Sequence, residues 1–339
     1  MASEGSTTPV RWGLLGTGDI TNKVVRGARR SGRVEFVAVG SRTAGRARDY
    51  AASHDVPREH GSYEALLDDP DVEAVYISLP NSLHHEWTMH ALRAGKHVLC
   101  EKPYSTRVED VEEAYDLADS RNLVLSEGFM WRHHPQAAAL KAELLELGEL
   151  QTIRATFAFV LGPDRANDIR LRADLEGGSL MDVGCYSVSG ARFLAGQEPE
   201  TVYGRAAWGP SGVDLRFTGV LGFPNGVMAE FTSAFTMDHR GLEAIGDEGS
   251  AVLVDPWQAD PATLVRRGEV VARWHPEDPS PMEVPYFHEF ENFSAAVRGE
   301  AEILLGRDHA AGQARVLGAL YESARSGREI SLQEPSAPT

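Results

Sequence analysis

The first third of the chain repeats a short apolar segment followed by helical sequence. The apolar segments predict five strands, at residues 10–16, 34–41, 72–80, 97–103 and 123–130. Strands separated by helices pair in parallel through right-handed crossovers, with helices on both faces of the sheet. This pattern predicts an α/β domain over residues 1–130.

The pattern changes after about residue 150, where strand-like segments follow one another. They occupy residues 152–160, 201–209, 214–223, 226–235 and 250–256. Pro224-Asn225-Gly226 predicts a turn between two of them, because Asn-Gly suits a type I′ hairpin, and hairpin strands are antiparallel. We predict an α+β domain over residues 131–330, with an open, mainly antiparallel sheet and two late helices, then a tail at 331–339.

Composition and charge narrow the class of protein. The 339 residues carry a net charge of −17, which argues against a nucleic acid or an anionic membrane as partner, because phosphate binding needs clustered Lys and Arg. Cys100 and Cys185 are expected to be free buried thiols. No apolar run approaches the roughly 20 residues of a membrane span, and the start, MASEGSTTP, lacks a signal-peptide pattern. We therefore expect a protein of the reducing cytoplasm.

The turn after the first predicted strand has the residues of a dinucleotide-phosphate site. Gly16, Gly18, Asp19 and Ile20 lie where the strand passes into a helix. Backbone N–H groups at such a helix start bind a pyrophosphate, and glycine lets the backbone approach it closely. Thr21 replaces the third glycine of the G-x-G-x-x-G pattern, so a plain strand–helix turn stays an alternative.

The end of the second predicted strand selects between two cofactors. An acidic residue there would bond the ribose 2′-hydroxyl of NAD. This chain instead has Ser41 and Arg42, with Arg46 one turn further on. A hydroxyl and guanidinium groups suit a 2′-phosphate, so we predict NADP rather than NAD. The alternative is a pair of solvated surface arginines.

Three further strands carry unusual residues at the edge where open α/β sheets bind ligands, one of them Glu127 near the end of the fifth strand. Leu79-Pro80-Asn81 follows the third strand, with His84 in the next turn, and Glu101-Lys102-Pro103 ends the fourth. A lysine buried without a partner is costly, so Lys102 is expected to face a cleft and donate to a substrate oxygen. A simple pair between Lys102 and Glu101 is the alternative. His84 is either a cofactor contact or a helix-surface histidine, and a cis Lys102–Pro103 bond fits the turn.

A second group of candidate residues lies in GGSLMDVGCYS, residues 177–187. A helix is predicted to start near Ser179, and Asp182 and Tyr186 are four residues apart, so they share a helix face. A carboxylate and a phenol that converge on one cleft can handle a proton. A tyrosine packed between a helix and the sheet is the alternative.

Three segments together, AVYISLPNSLH, AGKHVLCEKP and GGSLMDVGCY, resemble the family of glucose–fructose oxidoreductase and inositol dehydrogenase over about residues 10–330. The resemblance implies a Rossmann domain followed by an open-faced sheet domain. It implies Lys102 as a catalytic residue, Asp182 as a contact to substrate or cofactor, and Arg170 near the nicotinamide or the substrate. Many members have His in place of Tyr186 and Asp in place of Ser189. This chain is similar instead to a tyrosine-bearing subgroup that includes NADP-dependent xylose dehydrogenases, dihydrodiol dehydrogenases and nucleotide-sugar 3-ketoreductases.

The resulting hypothesis is an NADP(H)-dependent oxidoreductase that transfers a hydride between nicotinamide and a sugar carbinol or carbonyl. Tyr186 would exchange the hydroxyl proton, Lys102 would stabilise the phenolate and polarise the oxygen, and Asp182 would hold the substrate or Lys102 in place. A nucleotide-linked keto sugar is the alternative substrate, with a set of candidate contacts at Arg165, Arg170, Arg172, Trp208 and His239. A non-catalytic, NADP-sensing regulator is a third hypothesis, and the presence of both Lys102 and Tyr186 argues against it.

Two further expectations concern metals and assembly. No metal is expected, because the histidines and cysteines lack C-x-x-C or H-x-x-x-H spacing. A broad sheet with one open face usually needs covering, so a homodimer or homotetramer is expected.

Overall fold

The computed structural model describes residues 8–165, 167–257, 262–274 and 284–333. These residues divide into two compact units. Unit 1 takes the described residues of 1–104, 109–134 and 282–310, and unit 2 takes those of 105–108, 135–281 and 311–339. The division differs from the predicted domains at residues 105–108, which belong to unit 2, at residues 131–134, which belong to unit 1, and at one longer segment late in the chain. The segment 282–310 belongs to unit 1, although the sequence placed it in the second domain.

Unit 1 is built on a six-stranded sheet. Its strands are β1 (Val10–Leu15), β2 (Val34–Gly40), β3 (Arg58–His60), β4 (Ala74–Ile77), β5 (His97–Glu101) and β6 (Leu125–Gly128). The strand order is β3-β2-β1-β4-β5-β6, and every pair is parallel, which confirms the predicted parallel sheet. The order is that of doubly wound dinucleotide-binding domains. The three-residue edge strand β3 was not predicted, because it is too short to show a period.

The helices of unit 1 connect and cover these strands. They are α1 (Asp19–Ala28), α2 (Ala44–Ser53), α3 (Tyr63–Leu67), α4 (His84–Arg93), α5 (Val108–Ser120) and, late in the chain, α8 (Val284–Val297). Trp12 of β1 is fully buried, with Phe290 and Phe293 of α8 at ring-centroid distances of 4.6 and 5.0 Å. Its indole Nε1 donates to Ser294 at 3.4 Å. These buried aromatic contacts explain why α8 belongs to unit 1.

Unit 2 is built on a nine-stranded sheet with the order β14-β13-β12-β11-β7-β10-β9-β8-β15. The strands are β7 (Leu150–Val160), β8 (Thr201–Trp208), β9 (Asp214–Gly222), β10 (Met228–Ala234), β11 (Thr236–Gly246), β12 (Ser250–Val254), β13 (Ala262–Arg266), β14 (Glu269–Trp274) and β15 (Ile330–Ser331). Only the β7–β10 pair is parallel among the described strands of this sheet. The mainly antiparallel sheet is thus confirmed, as is the hairpin, where Gly226 has φ +84°.

One face of this sheet packs on helices and the other is open. The helices are α6 (Pro135–Glu143), α7 (Cys185–Ala195) and α9 (Arg307–Ser326), of which residues from 311 onward lie in unit 2. Along β7, Ile153 and Ala155 are buried while Arg154 between them is exposed. Arg154 pairs across the open face with Glu230 of β10 at 2.7 Å. The open face therefore carries charged and polar side chains. In the described part of the chain, no helix is long and apolar enough to cross a membrane.

Candidate active site

The turn between β1 and α1 brings the backbone close to the end of β4. Gly16 has φ +121°, and a Cβ there would lie 2.7 Å from Ser78 Oγ, so no other residue fits without strain. Gly18 is the N-cap of α1, and Asp19 and Ile20 form its first turn. Thr21 is buried, and its hydroxyl lies 2.8 Å from the same Ser78 Oγ. A glycine-rich turn at the start of a helix fits a dinucleotide pyrophosphate. Thr21, which replaces the third glycine of the G-x-G-x-x-G pattern, is hydrogen-bonded to the end of β4.

The end of β2 presents two cationic side chains. Ser41 is buried, and its backbone N–H donates to the carbonyl of His60 in β3 at 3.1 Å. Arg42 and Arg46 are exposed, and neither makes an ion pair with any described residue. Burial raises the pKa of Tyr63, and the nearby guanidinium groups of Arg42 and Arg46 oppose that rise. Two guanidinium groups without carboxylate partners fit a 2′-phosphate better than a 2′-hydroxyl.

His84 is buried, at 1% exposed, which contradicts the alternative of a helix-surface histidine. Its Nδ1 lies 2.8 Å from the carbonyl oxygen of Pro103, and its Nε2 lies 2.9 Å from that of Leu79. Burial lowers its pKa. A neutral imidazole carries a proton on only one nitrogen, so the ring donates to one of these two carbonyls. The side chain lies between the Leu79-Pro80-Asn81 turn and the loop after β5.

The loop that carries Lys102 is anchored by buried side chains. The Lys102–Pro103 peptide bond is cis, as the sequence suggested. Glu101 accepts hydrogen bonds from the Tyr76 hydroxyl and, at 3.3 Å, from the backbone N–H of Lys102. Glu127 of β6 accepts from the backbone N–H of Tyr104 at 2.8 Å. Together with His84, these bonds hold the backbone on either side of Lys102 at the carboxyl edge of the sheet.

A buried acid that the sequence analysis missed lies beneath this edge. Glu289 of α8 is 1% exposed, and neither carboxyl oxygen has a hydrogen-bond partner among the described residues. A Cβ on Gly128 would lie 3.7 Å from Glu289 Oε1 and 3.5 Å from the Cα of Glu101. Burial, and then the charge of Glu101, raise the pKa of Glu289 well above its usual value, which favours its uncharged form. An acid on the same helix face as Tyr286 and Phe293, three residues before it and four after it, was the available signal.

In unit 2, the segment 177–187 begins a helix close to the predicted start. Its first turn, Leu180–Gly184, is π-helical, and α7 continues from Cys185. The π-helical turn was not predicted, because nothing in the local sequence distinguishes it from an α-helical turn. Turns of this kind are frequent at functional sites. Asp182 lies within it, and Tyr186 follows at the start of α7.

Asp182 forms an ion pair with Arg170. The Arg170 Nε lies 2.7 Å from Asp182 Oδ2, and Arg170 Nη1 lies 3.1 Å from Asp168 Oδ1. The two carboxylates, Asp182 first, raise the pKa of Arg170. The structure therefore brings together two residues that the sequence placed in the site, and it adds Asp168, which was not predicted.

Tyr186 packs between α7 and the sheet. It is 6% exposed, and its ring meets Phe157 of β7 edge-on at 5.3 Å and Trp257 at 6.0 Å. The Trp257 indole is itself fixed by donation to the carbonyl of Thr156 at 2.7 Å. This is the packing between helix and sheet that was the alternative to a catalytic role, and it fixes the orientation of the phenol ring.

Asp214 of β9 anchors the start of the same helical segment and was also missed. It is fully buried. Its Oδ2 accepts from the Ser179 hydroxyl and the Leu180 backbone N–H, each at 2.7 Å, and its Oδ1 accepts from the Tyr321 hydroxyl at 2.8 Å. Gly178, at φ +121°, leaves room for it, because a Cβ there would lie 2.3 Å from Asp214 Oδ1. An acid at a core-facing strand position was the signal in the sequence.

The five candidate contacts for a nucleotide do not form one basic pocket. Arg165 and Arg170 share Asp168, at 3.6 and 3.1 Å. Arg172 pairs with Asp174 at the surface. Trp208 and His239 line two different cavities of unit 2.

Both cysteines are buried thiols, as predicted, and neither forms a disulfide with a described residue. Across the described ranges, no group of three or more His, Cys, Asp or Glu side chains is placed to hold a metal ion.

Sequence and structure comparisons agree with this architecture. Residues 10–129 match the family model described as an oxidoreductase family with an NAD-binding Rossmann fold, and residues 142–252 match the GFO/IDH/MocA C-terminal domain. A D-xylose 1-dehydrogenase (NADP(+)) of Haloferax volcanii is 38% identical over 332 residues, covering 95% of this chain and 99% of the relative.

Two solved structures are similar over nearly the whole chain. An aldose–aldose oxidoreductase from Caulobacter crescentus has a TM-score of 0.85 at 26% identity, covering 96% of this chain and 100% of the other. A 3-ketoreductase from Actinomadura kijaniata, in complex with NADP and TDP-benzene, has a TM-score of 0.84 at 28% identity, covering 93% and 98%.

The fold and these matches define an oxidoreductase with a Rossmann domain for a nicotinamide cofactor and a second domain on an open-faced sheet. The chain belongs to the GFO/IDH/MocA family, whose relatives here act on sugars and sugar-like substrates.

Proposed function

We propose that this protein is an NADP(H)-dependent sugar dehydrogenase or reductase that acts on a CH–OH group of an aldose or pyranoside. The bound cofactor would accept a hydride in its oxidised form, NADP, and donate one in its reduced form, NADPH. Tyr186 exchanges the proton of the substrate hydroxyl, and Lys102 polarises the substrate oxygen and favours the phenolate form of Tyr186 by its charge. Asp182, oriented by Arg170, holds the substrate hydroxyl.

The observation that carries this proposal is the anchored backbone around Lys102. Three buried side chains, His84, Glu101 and Glu127, bond to backbone atoms within three residues of one another. Several buried hydrogen bonds to one short loop hold its backbone in a single position, as a catalytic side chain requires. The loop lies at the carboxyl edge of the parallel sheet, where such folds bind ligands.

The test compares Lys102→Ala, Tyr186→Phe and, as a matched control, Tyr203→Phe on β8. Turnover is measured as NADP reduction with a panel of aldoses, and NADPH binding is measured by fluorescence. Each of the first two variants should lose about 10²–10⁴-fold in kcat while binding NADPH, and the control should retain turnover. Turnover of Tyr186→Phe equal to that of the control would refute the tyrosine assignment. Absence of turnover in the wild type with every sugar would favour a sensing regulator.

The preference for NADP rests on Arg42 and Arg46. Arg42→Ala should lower kcat/KM for NADP by about 10–100-fold, the effect of losing a hydrogen bond to a charged group, and should leave kcat/KM for NAD unchanged. Arg48→Ala, which removes another exposed arginine of α2, is the matched control. An equal effect on both cofactors would refute the assignment.

A nucleotide-linked keto sugar is the second candidate substrate, favoured by the similarity to the Actinomadura kijaniata 3-ketoreductase. In this structure the arginines considered for its nucleotide are already paired with Asp168 and Asp174. Competitive inhibition of sugar oxidation by TDP at micromolar concentration would favour this candidate over a free aldose.

We also infer that the protein assembles as a homodimer or homotetramer through the open face of the unit 2 sheet. Val220 and Met228 are 40% and 58% exposed on neighbouring strands of this sheet, beside the Arg154–Glu230 pair. Sedimentation should show a dimer or larger, and Met228→Glu should shift it toward the monomer. A wild-type monomer at high protein concentration would refute the inference.

A further inference from the structure

A cavity of about 240 Å³ lies within unit 2, between the end of β8, the turn before β9, the C-terminal half of α9 and the loop before the π-helical turn. Tyr186 is not among the residues that line it. Its volume is slightly below the roughly 300–1,000 Å³ of pockets for drug-sized ligands, so it suits a molecule of about monosaccharide size.

An aromatic platform forms one wall of this cavity. The indole of Trp208 is 42% exposed, and it stacks on Tyr321 at 6.3 Å between ring centroids with an angle of 26°. Tyr321 is held by its hydrogen bond to Asp214 at 2.8 Å. An exposed and oriented ring of this kind offers an apolar face to the ring of a ligand.

The guanidinium group of Arg325 contacts the same two aromatic rings. The Arg325 Cζ lies 5.9 Å from the Trp208 ring centroid and 5.3 Å from that of Tyr321. Arg325 forms no ion pair with any residue that the structure describes, although this acidic chain offers many carboxylates. The guanidinium lies against both rings, and a guanidinium binds a carboxylate or phosphate with two parallel hydrogen bonds.

The remaining walls supply space and hydrogen-bond acceptors. Glycines at 177, 212 and 318 keep side chains out of the cavity, and at Gly318 a Cβ would lie 2.5 Å from the Thr106 carbonyl oxygen. Glu176, which takes a left-handed backbone with φ +55°, adds a carboxylate to the lining. A carboxylate accepts from hydroxyl groups, so Glu176 in the lining favours a hydroxylated ligand.

We propose that this cavity is a second ligand site for a hydroxylated ring that carries one anionic group, a sugar acid or a sugar phosphate. The ring of the ligand stacks on Trp208, its anionic group binds Arg325, and its hydroxyl groups donate to Glu176. The site belongs to unit 2 and uses none of the residues that we assign to catalysis.

The test is isothermal titration calorimetry on the full chain without NADP, so that no probe is oxidised, with glucuronate, glucose 6-phosphate and uncharged glucose as the probes. Arg325→Gln should weaken binding of the anionic probes by about 10–100-fold, and Arg315→Gln, an exposed arginine on the same helix, should not. Loss with glucuronate alone identifies a carboxylate ligand, and loss with glucose 6-phosphate alone identifies a phosphate ligand.

A second variant tests the platform. Trp208→Ala should weaken binding of the same anionic probe, while Trp208→Phe should retain most of it, and the NADPH affinity of each variant reports its folding. The proposal is overturned if neither anion binds, or if Arg325→Gln binds the probes as tightly as Arg315→Gln.

Discussion

Replacement of Asp214 by alanine is expected to destabilise unit 2 far more than replacement by asparagine. Alanine removes the acceptor of the hydrogen bonds from Ser179, Leu180 and Tyr321. At about 1.5 kcal/mol for each bond to a charged group, the loss is about 4–5 kcal/mol. The burial cost of the carboxylate offsets part of this, so the net loss should be about 3–4 kcal/mol.

Asparagine keeps most of this arrangement. Its amide oxygen can accept from the Ser179 hydroxyl and the Leu180 N–H, and its amide N–H can donate to the Tyr321 hydroxyl, which also accepts. The expected cost is about 1 kcal/mol. Because a domain of 150–250 residues shifts by about 2–4 °C per kcal/mol, Asp214→Ala should lower the Tm by roughly 6–16 °C and Asp214→Asn by at most about 4 °C.

Differential scanning calorimetry of the two variants measures these shifts, and its pH dependence tests the cause. Burial raises the pKa of Asp214. A raised carboxyl pKa stabilises the fold below the ordinary pKa, and that contribution is lost as the pH rises through the folded-state pKa. The deficit of Asp214→Asn should therefore narrow as the pH rises. Equal Tm losses in the two variants would refute the reasoning, since they would make the charge essential and the acceptor geometry irrelevant.

Three further predictions test other parts of the structure. Gly16→Ala should weaken NADPH binding by about tenfold or more, because φ +121° and the approach to Ser78 exclude a side chain; Gly32→Ala, where a Cβ meets open space, is the control, and equal affinities would contradict the prediction. Glu289→Gln should leave the Tm unchanged near neutral pH and raise it relative to wild type in alkaline buffer, because the raised pKa of Glu289 makes its ionisation destabilising as the pH rises; a Tm already above that of wild type at neutral pH would show that Glu289 is ionised there. Burial lowers the pKa of His133 to about 3 and that of His134 to about 4, so the free energy of unfolding should fall as the pH drops from about 6.5 toward 4. His134→Gln should reduce that slope in urea titrations, and an unchanged slope would count against buried neutral histidines.

Local sequence patterns predicted much of the fold. The five strands of unit 1 found from apolar runs are present, and the antiparallel strands and the Asn-Gly hairpin of unit 2 are present as well. The edge strand β3 was not predicted, because three residues are too few to show an alternation of apolar and polar positions. The placement of α8 in unit 1 was not predicted, because it depends on Phe290 and Phe293 packing against Trp12, about 280 residues earlier.

The candidate site was predicted only in part, because local patterns reveal residue types at strand ends and not the distant residues that surround them. Strand ends with Gly, Arg or Lys are local signals, and they pointed to Gly16, Arg42 and Lys102. The burial and the hydrogen-bond partners of a side chain depend on residues that are distant in the sequence. His84 could be interpreted as a surface or a cofactor residue until the structure placed its nitrogens against the carbonyls of Leu79 and Pro103.

The sequence by itself determined the two kinds of sheet, the glycine turn and the chemistry available at the strand ends, because periodicity and turn preferences act between near neighbours. Tertiary structure alone decided that Arg170 pairs with Asp182, that Glu289 is buried without a partner, and that Asp214 holds the start of the helical segment before Tyr186. Burial and charge pairing depend on residues far apart in the chain, and packing of the folded molecule sets the pKa and the partner of each such group.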